Sequence, residues 1–221
     1  MASLTTKIEN LRLTLQAQQK LLIAYSGGVD STYLLAEAVD LHGPQVMAVI
    51  ADSPSLPRRA LRDAIAVANS LNAQLHVLRT TELDQPEYVA NPVNRCYFCK
   101  AELFRRMTEL AVAQDFTALA YGENADDALE FRPGAKAAAE LRVLAPLRMA
   151  GLTKSEIRAL SRNRGLPTAD QPAQPCLSSR IRHGIPVSWT ALSMVERAEE
   201  MVRCHGFRIF RVRFLVNSTI P

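Results

Sequence analysis

The chain has 221 residues, 48% hydrophobic and 22% charged, an ordinary globular composition with room for one good core and an appendage. Its net charge of +4 at pH 7 suits an anionic substrate and is too weak to argue for nucleic acid. No apolar run reaches the roughly 18 residues of a membrane span, and no apolar core precedes a cleavage site near the N-terminus. A cytoplasmic protein with no membrane partner is expected, and its 4 cysteines read as thiols for metal or catalysis rather than disulfides.

Residues 4–20 read as an amphipathic helix, with Leu4, Ile8, Leu11 and Leu15 at helical spacing. An apolar strand over 21–25 runs into Ser26-Gly27-Gly28-Val29-Asp30-Ser31, and a helix over 32–42 ends at Gly43-Pro44. The continuous apolar run 46–51 predicts a strand buried on both faces of a parallel sheet. Asp52 to Ser55 form a loop, Pro57 opens a helix to Leu71, and 75–78 is a third strand. This alternation predicts an open α/β parallel sheet flanked by helices. Ligands then sit at the carboxyl ends of the strands, so Ser26 to Asp30, Asp52-Ser53 and the segment after Leu78 are expected to converge.

A long loop over 80–95 carries Cys96 and Cys99 to a helix expected at about 100–113. A fourth strand over 118–122 leads to Glu123, Asp126 and Asp127, and Phe131-Arg132-Pro133-Gly134 opens a short helix through Glu140. Residues 141–147 look like a last strand, and Thr153 with Glu156 form a capping box for a helix to Arg164. The first domain is placed at 1–165. The second, 166–221, holds a Pro-rich loop with Cys176, a helix over 188–205 and a strand over 207–216. A lone strand needs partners, so this small α+β unit is expected to be incomplete here or completed by another chain, and a homo-oligomer is expected.

The chemistry starts at the glycine pair. A strand, a glycine turn and a helix start bring backbone N–H groups and the positive helix end to an anion. Ser26, Ser31 and Thr32 can add hydroxyl donors, and Asp30 can hold a Mg²⁺ that itself binds phosphate. Neither GxxxxGK[ST] nor GxGxxG is present. Cys96-x-x-Cys99 alone is ambiguous among a redox pair, half a zinc site and cluster ligands. With Cys176 it makes three cysteines, which suggests a [4Fe–4S] cluster with one iron open; the alternative is structural zinc with His183 or His205 as fourth ligand. Cys204 reads as a helix residue without chemistry. Glu123, Asp126 and Asp127 are either a solvated acidic turn or supports for Mg²⁺ and nucleotide. Arg180, Arg182, Arg211 and Arg213 are candidates for an anionic substrate.

The loop Ser26–Ser31 resembles the pyrophosphate loop of the ATP pyrophosphatases. With Arg132-Pro133-Gly134, Pro172–Arg180, Gly206-Phe207 and Arg211-Val212-Arg213, nearly the whole chain resembles the LarE family of ATP-dependent sacrificial sulfur transferases of nickel-pincer nucleotide biosynthesis. The resemblance implies that ATP and Mg²⁺ adenylylate a carboxylate of pyridinium-3,5-dicarboxylate mononucleotide, and that sulfur then gives a thiocarboxylate and AMP. One form of the family gives up the sulfur of the cysteine at position 176; another carries sulfide on a three-cysteine [4Fe–4S] cluster, which Cys96, Cys99 and Cys176 match. By the same resemblance Ser26, Gly27, Gly28, Asp30, Ser31, Ser53 and Arg180 bind the nucleotide or its substrate, and Cys176, Glu199 and Arg211 serve substrate binding or sulfur transfer. The segment 214–221 does not match the family's continuation. A tRNA thiolation enzyme of the same superfamily and a non-catalytic nucleotide-binding iron–sulfur or zinc protein are the alternatives.

Overall fold

The computed structural model describes residues 2–129 and 132–215. Four parallel strands, β1 (Leu21–Ala24), β2 (Val46–Asp52), β3 (Gln74–Arg79) and β4 (Ala118–Tyr121), form one sheet in the order β3-β2-β1-β4. Leu21 pairs with Val46 on one side and with Ala118 on the other, so β1 is buried between two neighbours. Its side chains alternate between two cores, as strand geometry requires. Leu21 and Ile23 join a core with Leu11 and Leu15 of α1 (Leu4–Gln16), Leu34 and Leu35 of α2 (Val29–His42), Ala64 and Ala68 of α3 (Arg58–Ser70), and Ile157. Leu22 and Ala24 face a second core, with Phe104 and Met107 of α5 (Arg95–Ala113) and Ala137 of α6 (Pro133–Glu140). Helices on both faces explain why β1, β4 and β2 up to Ala51 are apolar throughout rather than alternating, whereas β3, at the sheet edge, carries Gln74, His76 and Arg79. The short α4 (Pro86–Val89) interrupts the loop after β3.

The connections β1 to β2 and β2 to β3 step one way across the sheet; the next returns to the far side of β1. The order therefore reverses between β1 and β4, and open α/β sheets take ligands at the carboxyl ends of the strands beside such a reversal. The segments leaving those two strands are 25–31 and 122–127.

Several expected elements differ. Helix α2 starts at Val29, so Asp30 and Ser31 lie in its first turn. Helix α5 starts at Arg95 rather than near 100, so Cys96 and Cys99 are helical. The expected strand over 141–147 reduces to one parallel bridge, Leu144 with Ala120, because Pro146 opens a short helix, α7 (Pro146–Met149). The capping box is present at the start of α8 (Lys154–Asn163). The expected strand over 207–216 is not formed among the described residues: Phe214 alone bridges to Ile181, and Phe207, Ile209 and Leu215 are exposed. The rest of that expectation, from Val216 on, lies outside the described residues. A third cluster joins Tyr88 to Leu177, Ile181, Val187 and the inner face of α9 (Trp189–Cys204), so the C-terminal unit takes part of its core from the segment before the CxxC.

Candidate functional site

The loop after β1 is shaped before any ligand arrives. Gly27 has φ +72°, and a Cβ there would stand 2.6 Å from Ala64 Cβ of α3, so conformation and space both require glycine. Ser31 Oγ accepts from Ser26 N at 3.2 Å and donates to Gly28 O at 3.1 Å, closing the turn; Ser26 Oγ lies 3.1 Å from it. Gly28 is the N-cap of α2 and offers no side-chain cap. The first-turn N–H groups thus keep the free valences of any helix start, and an anion there also meets the positive end of a 14-residue helix. Gly122, just after β4, completes the fit: a Cβ on it would sit 2.7 Å from Ser31 N and 2.9 Å from Ser31 Cα. Backbone meets backbone between the two segments only because that position is glycine.

Asp30 is mostly buried in the first turn of α2. Its Oδ2 takes Lys154 Nζ of α8 at 2.5 Å and Asn124 Nδ2 at 3.4 Å, while its buried Oδ1 has no partner. Burial pushes its carboxyl above the usual range, more strongly than Lys154 pulls it down, and Asp127 adds to the rise. An acid with an open, buried oxygen beside the phosphate loop is the chemistry a divalent cation would satisfy. The acidic turn after β4 divides its labour. Asp126 Oδ2 accepts from Lys154 N at 2.8 Å and caps α8. Asp127 Oδ2 accepts from Asn124 N at 3.1 Å. Glu123 is buried, with Arg148 Nε 2.9 Å from its Oε2 but out of hydrogen-bond alignment. Glu123 and Asp127 are therefore not a solvated surface pair, whereas Asp126 is exposed.

The cysteines converge from two segments. Cys96 and Cys99 occupy the first turns of α5, Cys96 exposed and Cys99 partly buried. Burial pushes the Cys99 thiol well above its usual range, and Glu82, Cys176 and Cys96 push it the same way; Lys100 opposes them. Cys176 precedes the single turn Leu177–Arg180. Its loop is tied to the sheet by Leu177 N donating to Ser55 O at 2.8 Å. Ser53, buried after β2, holds Ser55 through their hydroxyls at 2.8 Å, and Ser55 Oγ donates to Glu82 Oε1 at 3.2 Å. The other oxygen of Glu82 is buried and unpartnered. Among the described residues no three His, Cys, Asp or Glu side chains form a group able to hold a single metal ion. The His183 and His205 side chains are exposed, and so is Cys204 at the end of α9.

Lys100 links the two halves. Its ammonium lies 4.5 Å from the Tyr121 ring centroid and 5.3 Å from that of Phe104. Burial pulls its pKa down against the raising influence of Cys99, Glu123 and Cys96. Thiol, ammonium and carboxylate thus follow one another along the carboxyl edge of β4, and Asn124, next to Glu123, reaches Asp30. Sequence reasoning singled out neither Lys100, Lys154, Glu82 nor Gly122. The position of Glu82 after β3 was a usable signal; Gly122 had none.

Arg180 and Glu199 are bound to each other rather than open. Nε and Nη2 of Arg180 reach the two Glu199 oxygens at 2.7 and 3.2 Å, and Nη1 reaches Cys176 O at 3.1 Å. Glu199 Oε1 also accepts from Val212 N at 3.2 Å. This buried pair pins the cysteine loop to α9 and to the final segment. Beside it lies a cavity of 110 Å³ whose lining includes Arg59, Arg203, Arg208 and Arg211 as well as Arg180 and Glu199. Arg211 is exposed at this cavity; Arg182 and Arg213 are exposed too and are not part of its lining.

No family model matches the chain. An uncharacterised protein of Synechocystis sp. is 43% identical over 210 residues, 95% of this chain and 78% of the relative. The pyridinium-3,5-bisthiocarboxylic acid mononucleotide synthase of Lactiplantibacillus plantarum is 31% identical over 215 residues, 97% of this chain and 78% of the relative. An uncharacterised protein of Methanocaldococcus jannaschii is 28% identical over 207 residues, 91% of this chain and 77% of the relative.

Proposed function

The chain belongs to the family of pyridinium-3,5-bisthiocarboxylic acid mononucleotide synthases, and on that premise we propose that it is an ATP-dependent sulfur transferase of nickel-pincer nucleotide biosynthesis. It adenylylates a carboxylate of pyridinium-3,5-dicarboxylate mononucleotide and replaces the activated oxygen with sulfur. The observation that supports the reading is the nearness of the glycine turn and the start of α5 at one edge of the sheet: Asn124, just after β4, reaches Asp30, and Lys100, next to Cys99, holds its ammonium 4.5 Å from the Tyr121 ring centroid at the end of β4.

The geometry supports these roles. The Gly27-Gly28 turn and the open N–H groups of α2 bind the β- and γ-phosphates of ATP. Asp30, with its open buried oxygen, would hold Mg²⁺, which would supply charge for the departing pyrophosphate. A substrate carboxylate oxygen attacks the α-phosphorus, pyrophosphate leaves, and an acyl-adenylate forms. A free carboxylate is a poor electrophile, and AMP is the leaving group it lacks. Sulfide then attacks the acyl carbon and AMP departs, leaving a thiocarboxylate. The three cysteines suit a [4Fe–4S] cluster better than a single ion, since a four-iron cube needs a wider set of thiols; such a cluster would supply sulfide at the iron the cysteines leave open. Arg211 and the other arginines of the 110 Å³ cavity suit the substrate phosphate. The mild overall charge favours this small anionic substrate over tRNA.

The test is anaerobic incubation with ATP, Mg²⁺ and the dicarboxylate nucleotide, with mass spectrometry of product and protein. Several thiocarboxylates per chain with an unchanged polypeptide are expected. A protein mass lower by one H₂S would replace the cluster route with sacrifice of Cys176. AMP without thiocarboxylate would sink sulfur transfer altogether.

A further inference from the structure

Arg95 stands one residue before the CxxC and is buried, as are Asn91, Tyr88 and Ser178. Its Nη1 donates to Asn91 Oδ1 and, at 3.0 Å, to Ser178 O, two residues past Cys176. Asn91 Nδ2 donates to Arg182 O at 2.9 Å and Ile185 O at 2.8 Å. Tyr88 OH lies 2.7 Å from Ser178 Oγ. Backbone bonds repeat the joint: Gly184 N to Asn91 O at 3.0 Å and Val187 N to Val89 O at 2.9 Å. Asn91 accepts φ +54° to take its place in it. The segment before one cysteine pair is thus bolted to the segment after the third cysteine. Among the described residues the hydrogen bonds of the Arg95 guanidinium go only to neutral oxygens. A buried charge so placed is costly unless its geometry does something a neutral side chain cannot. Both bonds leave one nitrogen, Nη1, whose two N–H groups reach the Asn91 side chain and the Ser178 carbonyl at once.

We propose that Arg95, with Asn91 and Tyr88, is a positioning device that holds the start of α5 against the Cys176 loop, so that Cys96, Cys99 and Cys176 act as one sulfur site. This rests on the three-cysteine reading above, but the joint can be tested without it. All proteins carry Cys204→Ser, and the apo protein is treated under reducing, anaerobic conditions with dibromobimane, which bridges two neighbouring thiols. Peptide mass spectrometry then measures the adduct joining Cys176 to Cys96 or Cys99. ATP binding at the Ser26–Ser31 loop, which none of these bonds touches, reports that the sheet is folded.

Bridging is expected in the parent and is expected to fall about tenfold or more in Arg95→Met, as loss of two buried charge-assisted bonds implies, with ATP binding retained. Arg95→Lys keeps the charge and the donors, but its shorter stem stops short of the Nη1 position, and it is expected in between. Should Arg95→Met lose ATP binding, Tyr88→Phe, which keeps the volume and removes one strut, decides the question through a roughly threefold fall. Bridging in Arg95→Met equal to the parent, or no bridging in the parent, overturns the proposal. Bridging that behaves as expected in a parent that makes no thiocarboxylate leaves the joint standing and removes the sulfur-transfer reading instead.

Discussion

The phosphate loop and the cysteine site meet at one edge of the sheet, yet they are built differently. Ser26 to Ser31 takes its shape within a single turn of chain: a glycine with positive φ, hydroxyls that bond within the turn, and a helix start that no side chain caps. The cysteine site is shaped by bonds between segments remote in sequence, from Ser55 to Leu177, Arg95 to Ser178 and Asn91 to Arg182. Cys99 is also poorly prepared to ionise alone, since burial, Glu82 and two neighbouring cysteines raise it. On the proposed function, the loop needs only its anion, whereas the cysteines need a cation or cluster to hold them as thiolates. Activation thus falls, on that proposal, to a locally built turn and sulfur delivery to a site built by tertiary contacts.

That contrast can be broken most sharply at Cys176. Cys176→Ala is expected to abolish thiocarboxylate formation while AMP still appears on substrate addition, measured as pyrophosphate release beside product mass; surviving transfer would remove Cys176 from the site. On the loop side, Gly122→Ala puts a methyl group into the backbone of Ser31 and Asp30. Displacement of the first turn by a fraction of an ångström to an ångström is expected to lower ATP cleavage about 100-fold, with thiol bridging at Cys176 unchanged. Asp30→Asn removes the open carboxylate oxygen and is expected to lower Mg²⁺-dependent pyrophosphate release by about 100-fold. Since burial already disfavours the ionised Asp30, melting of this variant is expected no lower than that of the parent.

The smallest effect concerns the anchor of α8, which brings Lys154 to Asp30. Glu156 bonds Thr153 N at 2.8 Å and Lys7 Nζ at 2.8 Å. Glu156→Ala is expected to cost about 1 kcal/mol, or roughly 2–4 °C in melting temperature. Burial works to raise the Glu156 carboxyl, but the Lys7 and Thr153 bonds outweigh it and hold it below the usual range. Its contribution is therefore complete above the unfolded value and lost as pH falls through the lower folded one, so parent and variant converge in acid. A gap that stays constant down to strongly acidic pH would mean that Glu156 acts by packing alone.

What could be read in advance differs between the two regions for the same reason. The strand, glycine pair and helix start lie next to one another in sequence, so order and residue type carried the geometry of the loop; only the start of α2 moved, to Val29. The start of α5 was placed too late because Arg95 to Cys99 shows no helical periodicity, and its N-cap, Asn94, makes no side-chain cap bond. Residues 207–215 alternate apolar and basic as a half-buried strand does, but Phe207, Ile209 and Leu215 meet no covering surface among the described residues, and only Phe214 pairs. Arg180 and Glu199 were legible as functional types and not as partners, since a buried ion pair is a fact of approach rather than of spacing.

The sequence by itself determined the parallel α/β sheet, the glycine turn after β1 and the choice of three cysteines worth joining. It did so because strand burial and glycine turns are written in neighbouring residues. Only the tertiary structure decided that Gly122 gives Ser31 its room, that Lys154 and Asn124 hold one oxygen of Asp30 and leave the other open, and that Arg95 ties the CxxC to the loop of Cys176. Each of these depends on how closely two remote stretches of backbone approach, and that distance is set by the packing of the whole sheet and its helices.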